Sequence, residues 1–142
     1  MTEPRESITI SEKILGMHHV RIPVSDPWRS RDWYISTFGF TAVLDLEDSD
    51  RVVGVLLRHP CGLVVSLHQD SSRAAAMAGF PLLGLTVADQ MVVEECAAEL
   101  TRLEQRHSRP QEGHVGWYVD VEDPDGIVVR LHSPTVIDSE DV

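Results

Sequence analysis

The sequence has little of several features that would narrow its class. It contains only two cysteines, Cys61 and Cys96, among 142 residues. These are too few for a disulfide framework, and we expect both to be reduced thiols. No apolar run is longer than a strand, so no membrane-spanning helix is predicted. The first eleven residues contain acidic groups and no apolar core of the kind that marks a signal peptide, so we expect a cytoplasmic protein.

Positive charge is also scarce. Twelve Lys and Arg residues stand against 23 Asp and Glu residues, and the formal net charge is −11. A chain this negative repels phosphate groups, which argues against a nucleic acid or an anionic membrane as partner. The sequence has no glycine-rich phosphate loop, no Gly-x-Ser-x-Gly turn and no Cys-x-x-Cys pair, so the catalytic classes that depend on them are not indicated.

What the sequence does contain is one ten-residue stretch twice. Residues 59–68, HPCGLVVSLH, return as residues 123–132, DPDGIVVRLH, with six of the ten positions identical. The offset is constant, since 124 − 60 and 132 − 68 both equal 64. Pro sets φ for a tight turn, Gly supplies its positive-φ position, and the β-branched run alternates between two faces of a strand. The sequence therefore predicts an internal repeat of turn, strand and closing histidine.

Each copy of this stretch closes a similar series of elements. The first half predicts a strand, a helix capped by Asp26 and ended by Gly39, and three more strands, at 17–25, 27–38, 40–46, 51–58 and 63–68. The second half predicts the same series, with the helix capped by Asp89, at 82–87, 89–106, 109–111, 114–121 and 127–132. The fold class is therefore α+β, built from two paired βαβββ modules, because neither module could bury its sheet alone.

The segments outside these modules are polar or weakly patterned. We expect an N-terminal arm at 1–14, a single domain at 15–134, and an acidic tail at 135–142. Within the domain, module one spans about 15–68, an Ala-rich linker 69–80 and module two about 81–134.

The order of these motifs resembles the vicinal oxygen chelate superfamily, which holds glyoxalase I, bleomycin-resistance proteins, fosfomycin-resistance enzymes and extradiol dioxygenases. The resemblance covers roughly residues 15–134. It rests on the doubled βαβββ pattern, the Ser-Asp before the first helix, the Trp-Tyr and Phe-Gly-Phe at its end, and the Asp-Pro-Asp-Gly-Ile close. It implies a cup-shaped mixed sheet around a cleft, and a homodimer whose modules pair within or between chains.

The resemblance also implies positions for four metal ligands, which fall on His19, Ser66, Leu82 and Arg130. Only His19 is a ligand-type residue for such a metal. Leucine cannot coordinate, and an arginine cation would oppose a divalent ion. A bound metal is therefore not favoured as a cofactor, although a divalent metal stays possible through other residues.

Strand alternation adds a second set of candidates. Ser66 and His68 share one strand face, and Arg130 and His132 share the equivalent face of the other module. If these faces line the cleft, His19, His68 and His132 could form a displaced three-imidazole metal site. Alternatively, the histidines are hydrogen-bonded residues at the rim.

The two arginines near the cleft also allow two interpretations. Arg21 and Arg130 form either a clamp for a carboxylate, phosphate or phenolate, or salt bridges to a carboxylate of the cleft or of the sheet rim, such as Asp120 or Glu122. His114, with the neighbouring Trp117 and Tyr118, is expected at the cleft mouth. The predicted ligand-binding residues are His19, Arg21, Ser66, His68, His114, Arg130 and His132.

Three functions are consistent with these observations. The first is a protein that binds a small organic ligand, anionic or aromatic, in its cleft without a metal. The second is a metal-dependent lyase, isomerase or dioxygenase that uses the shifted histidines. The third is a structural or regulatory dimer with a vestigial cleft.

Overall fold

The computed structural model of the chain describes residues 8–135 and contains four helices and eight strands there. The helices are α1 (Ile10–Lys13), α2 (Pro27–Phe38), α3 (Ser71–Ala76) and α4 (Gln90–Arg102). The strands are β1 (Val20–Val24), β2 (Thr41–Asp48), β3 (Arg51–Arg58), β4 (Val64–Gln69), β5 (Pro81–Thr86), β6 (Gln111–Gly113), β7 (Gly116–Glu122) and β8 (Val128–His132). None of these helices is both long enough and apolar enough to cross a membrane. The start of the predicted arm and nearly all of the predicted tail lie outside the described residues.

The strands form two four-stranded mixed sheets with the same topology. Sheet A has the order β1-β4-β3-β2, and sheet B has the order β5-β8-β7-β6. In each sheet the first strand of the module runs parallel to the last, and the other pairs are antiparallel. The predicted α+β fold with two βαβββ modules is confirmed.

One apolar cluster joins the two modules. Alternate residues of the strands point to one side, where the long helices cover them. Fully buried members come from both halves: Ile22, Val24, Tyr34, Val55, Leu57, Val65 and Leu67 from module one, and Val93, Val119, Val121, Ile127 and Val129 from module two. Because the cluster is continuous, each module completes the hydrophobic core of the other.

The repeated turn has the same hydrogen bonds in both modules. The His59 amide donates to the Leu63 carbonyl over 2.8 Å, and the Asp123 amide donates to the Ile127 carbonyl over 2.8 Å. The glycine of each turn has a positive φ, 101° at Gly62 and 81° at Gly126. A residue with a side chain would be strained in this backbone conformation. The predicted repeat therefore extends to the backbone geometry.

A buried carboxylate connects this turn in module two to the helix of module one. Oδ1 of Asp123 accepts from the amides of Asp125 and Ile127 at 2.8 and 3.0 Å, and Oδ2 accepts from the Tyr34 hydroxyl at 3.0 Å. Nearby, Oδ2 of Asp125 accepts from the Ser25 amide at 3.0 Å. Burial raises the pKa of the Asp123 carboxyl group despite these donors. Burial, together with the nearby charge of Asp123, also raises the pKa of the Tyr34 hydroxyl group. The junction of the modules is thus both apolar and hydrogen-bonded.

Several element boundaries differ from the sequence prediction. The second long helix ends at Arg102 instead of about 106, because the chain turns at Glu104 with a φ of 57°. Strand β2 continues to Asp48, since Ser49 and Asp50 both adopt positive φ and close a two-residue hairpin. The predicted short strand at 109–111 lies at 111–113. The linker forms α3, whose N-cap is Asp70.

We predict that Tyr34→Phe destabilises the protein by about 1 kcal/mol or more, because the buried Asp123 carboxylate loses a hydrogen-bond donor. The free energy of unfolding in urea measures this loss. Tyr118→Phe is a matched control, since that hydroxyl makes an exposed bond of 3.1 Å to Gln111. Equal effects of the two substitutions would contradict the stabilising role of the Tyr34 contact.

Candidate functional site

Each sheet has an inner face, which carries the core, and an outer face on the opposite side. In β4, Val65 and Leu67 are buried in the core, so Ser66 and His68 lie on the outer face of sheet A. In β8, Val129 and Leu131 are buried, which leaves Arg130 and His132 on the outer face of sheet B. The predicted sharing of faces within each module therefore agrees with the alternation of the strands.

On the outer face of sheet A, Arg21 and His68 form a hydrogen-bonded pair. Nη2 of Arg21 lies 3.2 Å from Nδ1 of His68. A guanidinium can only donate, so Nδ1 accepts and the neutral ring carries its proton on Nε2. Ser66 pairs with Arg21 across the parallel β1–β4 ladder and is almost fully buried. This pair therefore offers a cation and a ring N–H donor side by side.

A cavity of about 420 Å³ opens beside this pair. Among residues 8–135, its lining comes from module one and the linker: Arg21, Pro23, His68, Gln69, Asp70, Arg73 and Met77. Arg73 is paired with Asp70 at 3.0 Å, which neutralises both charges. Among residues 8–135, no carboxylate lies within ion-pair distance of Arg21. The charge of Arg21 is therefore available to a ligand.

The outer face of sheet B carries a stacked polar cluster instead. Nε and Nη2 of Arg130 donate to the two oxygens of Asp120 at 2.8 and 3.1 Å. Cζ of Arg130 lies 3.9 Å from the centre of the Tyr118 ring, which is nearly parallel to the His132 ring at 5.9 Å. The bond to Asp120 raises the pKa of Arg130. This pairing bears out the salt-bridge interpretation of Arg130 rather than a free clamp.

His132 has the opposite tautomer to His68. Its Nδ1 faces the Ser133 carbonyl, which can only accept, so Nδ1 carries the proton and Nε2 presents a lone pair. The two histidines of the repeat therefore differ in what they offer a ligand: His68 offers a donor and His132 an acceptor.

A glycine lies opposite one residue of each cluster. Gly54 lies opposite His68 in the β3–β4 ladder, where a Cβ would come within 2.2 Å of the Leu67 carbonyl oxygen. Gly84 lies opposite Arg130 in the β5–β8 ladder, with open space around its Cα. Gly84 therefore leaves open space beside the cluster of sheet B, whereas Gly54 allows the neighbouring backbone to lie close.

The remaining predicted histidines lie outside the strands that carry these clusters. His19 precedes β1 and is exposed, and its Nδ1 lies 2.9 Å from Nδ1 of His18. His114 is exposed in the turn between β6 and β7, where a strand was predicted, so it does not join the stacked cluster. Trp117 packs against the core, so only Tyr118 of the predicted aromatic pair is on the outer face.

These features can be compared with known proteins. A family model described as the glyoxalase/bleomycin resistance protein/dioxygenase superfamily matches residues 16–131. The chain belongs to this superfamily. No curated protein matches the chain.

Solved structures of the superfamily share the fold. A fosfomycin resistance protein, FosX, from Listeria monocytogenes is 15% identical, with a TM-score of 0.70 over 91% of this chain and 99% of that one. A lactoylglutathione lyase from Agrobacterium tumefaciens is 18% identical, with a TM-score of 0.66 over 84% and 94%. TnmS3, an antibiotic binding protein from Streptomyces sp. CB03234, is 25% identical, with a TM-score of 0.64 over 86% and 100%.

The residues of this superfamily member do not fit the metal site that the fold implies. Of the four positions, Leu82 has no donor atom, and the Arg130 guanidinium is already bonded to Asp120. Within residues 8–135, no three His, Cys, Asp or Glu side chains come together closely enough to hold a metal. His19, His68 and His132 are therefore not gathered into one site by the described part of the chain.

Sequence reasoning named Asp120 and Tyr118 without placing them in the ligand-binding set. The antiparallel register of β7 and β8 puts Tyr118 opposite His132 and Asp120 opposite Arg130. That register follows from the short turn at 123–126, so counting outward from the turn would have identified both partners.

We predict that Asp120→Asn lowers the free energy of unfolding by about 1 kcal/mol, because it weakens a bidentate, half-buried ion pair. Glu99→Gln is the matched control, since its pair with Arg102 is exposed and has a single contact of 3.4 Å. The control should change stability by less than about 0.5 kcal/mol. Urea unfolding measures both, and similar values would show that the Asp120 pair is not stabilising.

Proposed function

We propose that this chain binds a small aromatic anion without a metal, using the outer faces of its two sheets. The observation that carries the proposal is Arg21, whose guanidinium borders a cavity, bonds to His68 and has no carboxylate partner in the described part of the chain. A guanidinium that is free of a counter-ion binds a carboxylate or phenolate through charge-assisted hydrogen bonds. His68 adds its Nε2–H as a second donor.

The stacked cluster on sheet B supports the aromatic part of the ligand. Tyr118, Arg130 and His132 form a stack of flat groups, and we expect an aromatic ring of the ligand to pack against the end of this stack. Because Arg130 is neutralised by Asp120, this stack does not compete with Arg21 for the anionic group. The two sheets therefore contribute complementary halves, one for charge and one for the ring.

Similar proteins are consistent with ligand binding as the function. The printed names of TnmS3 and FosX refer to antibiotic binding and fosfomycin resistance. Sequestering or modifying a small organic molecule requires such a site, so we infer a ligand of similar size for this chain.

We also propose that two copies of the chain form a homodimer that completes the site. The cavity at Arg21 receives no side chain from module two, so the stacked cluster of one copy would have to face the Arg21 pair of the other. Apolar side chains on the arm and on β2 are exposed and would be covered by the second copy: Ile10, Ile14, Leu15, Met17, Val43 and Leu44.

The alternative is a metal-dependent lyase, isomerase or dioxygenase. It requires His68 to coordinate through a nitrogen that now either carries a proton or accepts from Arg21. A metal would therefore have to displace the Arg21 bond or shift the proton, and the donor set disfavours this.

We expect Arg21→Gln to weaken binding of benzoate or 4-hydroxybenzoate by about tenfold or more, because a charged hydrogen bond contributes roughly 1.5–3 kcal/mol. Isothermal titration calorimetry measures the affinity. Arg102→Gln removes the same charge from the surface of α4 and should leave binding unchanged.

Three results would contradict the proposal. Failure of the unaltered protein to bind any aromatic anion would favour a vestigial cleft. Equal affinity for the uncharged benzyl alcohol would remove the role of Arg21. One tightly bound zinc, iron, manganese or nickel per chain after purification without chelator, lost in His132→Ala, would establish the metal-dependent alternative.

The dimer is tested separately by light scattering after size-exclusion chromatography. We expect a mass of twice 15.9 kDa, and a shift toward the monomer in Leu15→Asp, because that fully exposed side chain would carry a charge into the interface. Ala98→Asp, on the acidic exposed side of α4, is the control. A monomer at micromolar concentration would contradict a binding site built from two copies of the chain. Ligand binding at the Arg21 cavity of one copy would still be tested by the Arg21→Gln titration.

A further inference from the structure

A second cavity lies on the inner side of the sheets, between the modules. Its volume is about 230 Å³. The end of α2, the repeated turn at His59, strand β5 and helix α4 surround it, and its walls are mainly apolar. Its lining includes Thr37, Phe38, His59, Cys96, Glu99 and Leu100. None of these side chains belongs to the outer-face clusters.

The repeat explains why this space is empty. The N-caps of α2 and α4 are Asp26 and Asp89, so the helices correspond with an offset of 89 − 26 = 63. By that offset, Trp33 corresponds to Cys96 and Tyr34 to Ala97. Two aromatic rings on the helix of module one are thus replaced by a thiol and a methyl group on the helix of module two.

The turn that faces each helix follows the same correspondence. Asp123 in module two receives the hydroxyl of the fully buried Tyr34. Its counterpart is His59, since 123 − 59 equals 64, and His59 lines the cavity. The phenol ring of Tyr34 therefore fills the junction between α2 and the Asp123 turn, but no ring fills the corresponding junction between α4 and the His59 turn. The cavity lies at this second junction.

The size and chemistry of the cavity define its ligand. Dry apolar cavities of about 150 Å³ bind benzene, so 230 Å³ accommodates a ring with one or two small substituents. Thr37 borders the cavity, and its buried hydroxyl oxygen has no hydrogen-bond partner within residues 8–135, so a hydroxyl group on the ring that reaches this oxygen would satisfy it. His59 is not available, because Nε2 donates to the Phe38 carbonyl at 2.9 Å and Nδ1 accepts from the Cys61 amide at 3.1 Å.

The charge around the cavity excludes an anion. Glu99 lines the cavity, and burial together with Glu99 and Glu95 raises the pKa of Cys96, which keeps its thiol neutral. A carboxylate or phenolate would meet these negative groups with no cation among the lining residues. This preference is opposite to that of the Arg21 cavity.

We propose that this inner cavity binds a small neutral phenol, which lies between Cys96 and the His59 turn, where module two has no ring that corresponds to Trp33 or Tyr34, and bonds through its hydroxyl to Thr37. 4-Methylphenol, the side chain of tyrosine as a free molecule, is the matching probe. Its binding is independent of the outer-face site and requires no dimer.

The two cysteines provide the test within one molecule. Cys96 lines the cavity, whereas Cys61 is exposed in the His59 turn. With the full chain at about ten times the Kd of 4-methylphenol, alkylation of Cys96 by N-ethylmaleimide should slow about tenfold while alkylation of Cys61 is unchanged. Mass spectrometry of the peptides measures both rates. The anion 4-methylbenzoate should protect neither cysteine.

A substitution that fills the cavity gives the second test. Cys96→Phe should abolish binding of 4-methylphenol in calorimetry, and Arg21→Gln should leave it intact, which separates this cavity from the outer-face site. If Cys96→Phe does not fold, the alkylation rates of the unaltered protein still show whether 4-methylphenol binds in this cavity. Binding without protection of Cys96, equal protection of both cysteines, or no saturable binding at millimolar 4-methylphenol would overturn the proposal.

Discussion

The buried contact between the Tyr34 hydroxyl and the Asp123 carboxylate is the constraint on which the two-module arrangement depends. It joins the helix of one module to the turn of the other over 3.0 Å, inside an apolar cluster to which both contribute. A buried carboxylate is costly unless it is satisfied, and here two backbone amides and one phenol satisfy it. The polar contact therefore specifies how the modules meet, while apolar burial supplies most of the stability.

This arrangement leaves polar side chains on the outer faces of the sheets. Buried residues of β1, β3, β4, β5, β7 and β8 are committed to the shared core, so the alternate residues of these strands can be polar without loss of packing. Arg21 with His68, and Arg130 with Asp120, Tyr118 and His132, are such outer residues. The two modules thus differ on the face that does not form the core. Module one carries Arg21 without a carboxylate partner in residues 8–135, and module two carries Arg130 paired with Asp120 in a stack of flat side chains.

Some features could be read from the chain because they depend on local or periodic chemistry. The Pro-Gly turns, the Asp caps of α2 and α4 and the strand alternation required only neighbouring residues, and each was predicted correctly. The end of α4 was not, because Glu104 turns the chain without the glycine that usually signals a helix end. The predicted start of a strand at His114 was also wrong, since β7 begins at Gly116, two residues later than the apolar pattern indicated.

The sequence by itself determined the repeat, the α+β fold, the membership of the family and the loss of ligand atoms at Leu82 and Arg130, since these depend on residue identity and spacing. Only the tertiary structure decided which charges are free. Arg21 and Arg130 look equivalent in the chain, yet a carboxylate across the β7–β8 ladder neutralises one and none in residues 8–135 neutralises the other. The physical reason is that an ion pair depends on distances between neighbouring strands, which spacing along one strand does not contain.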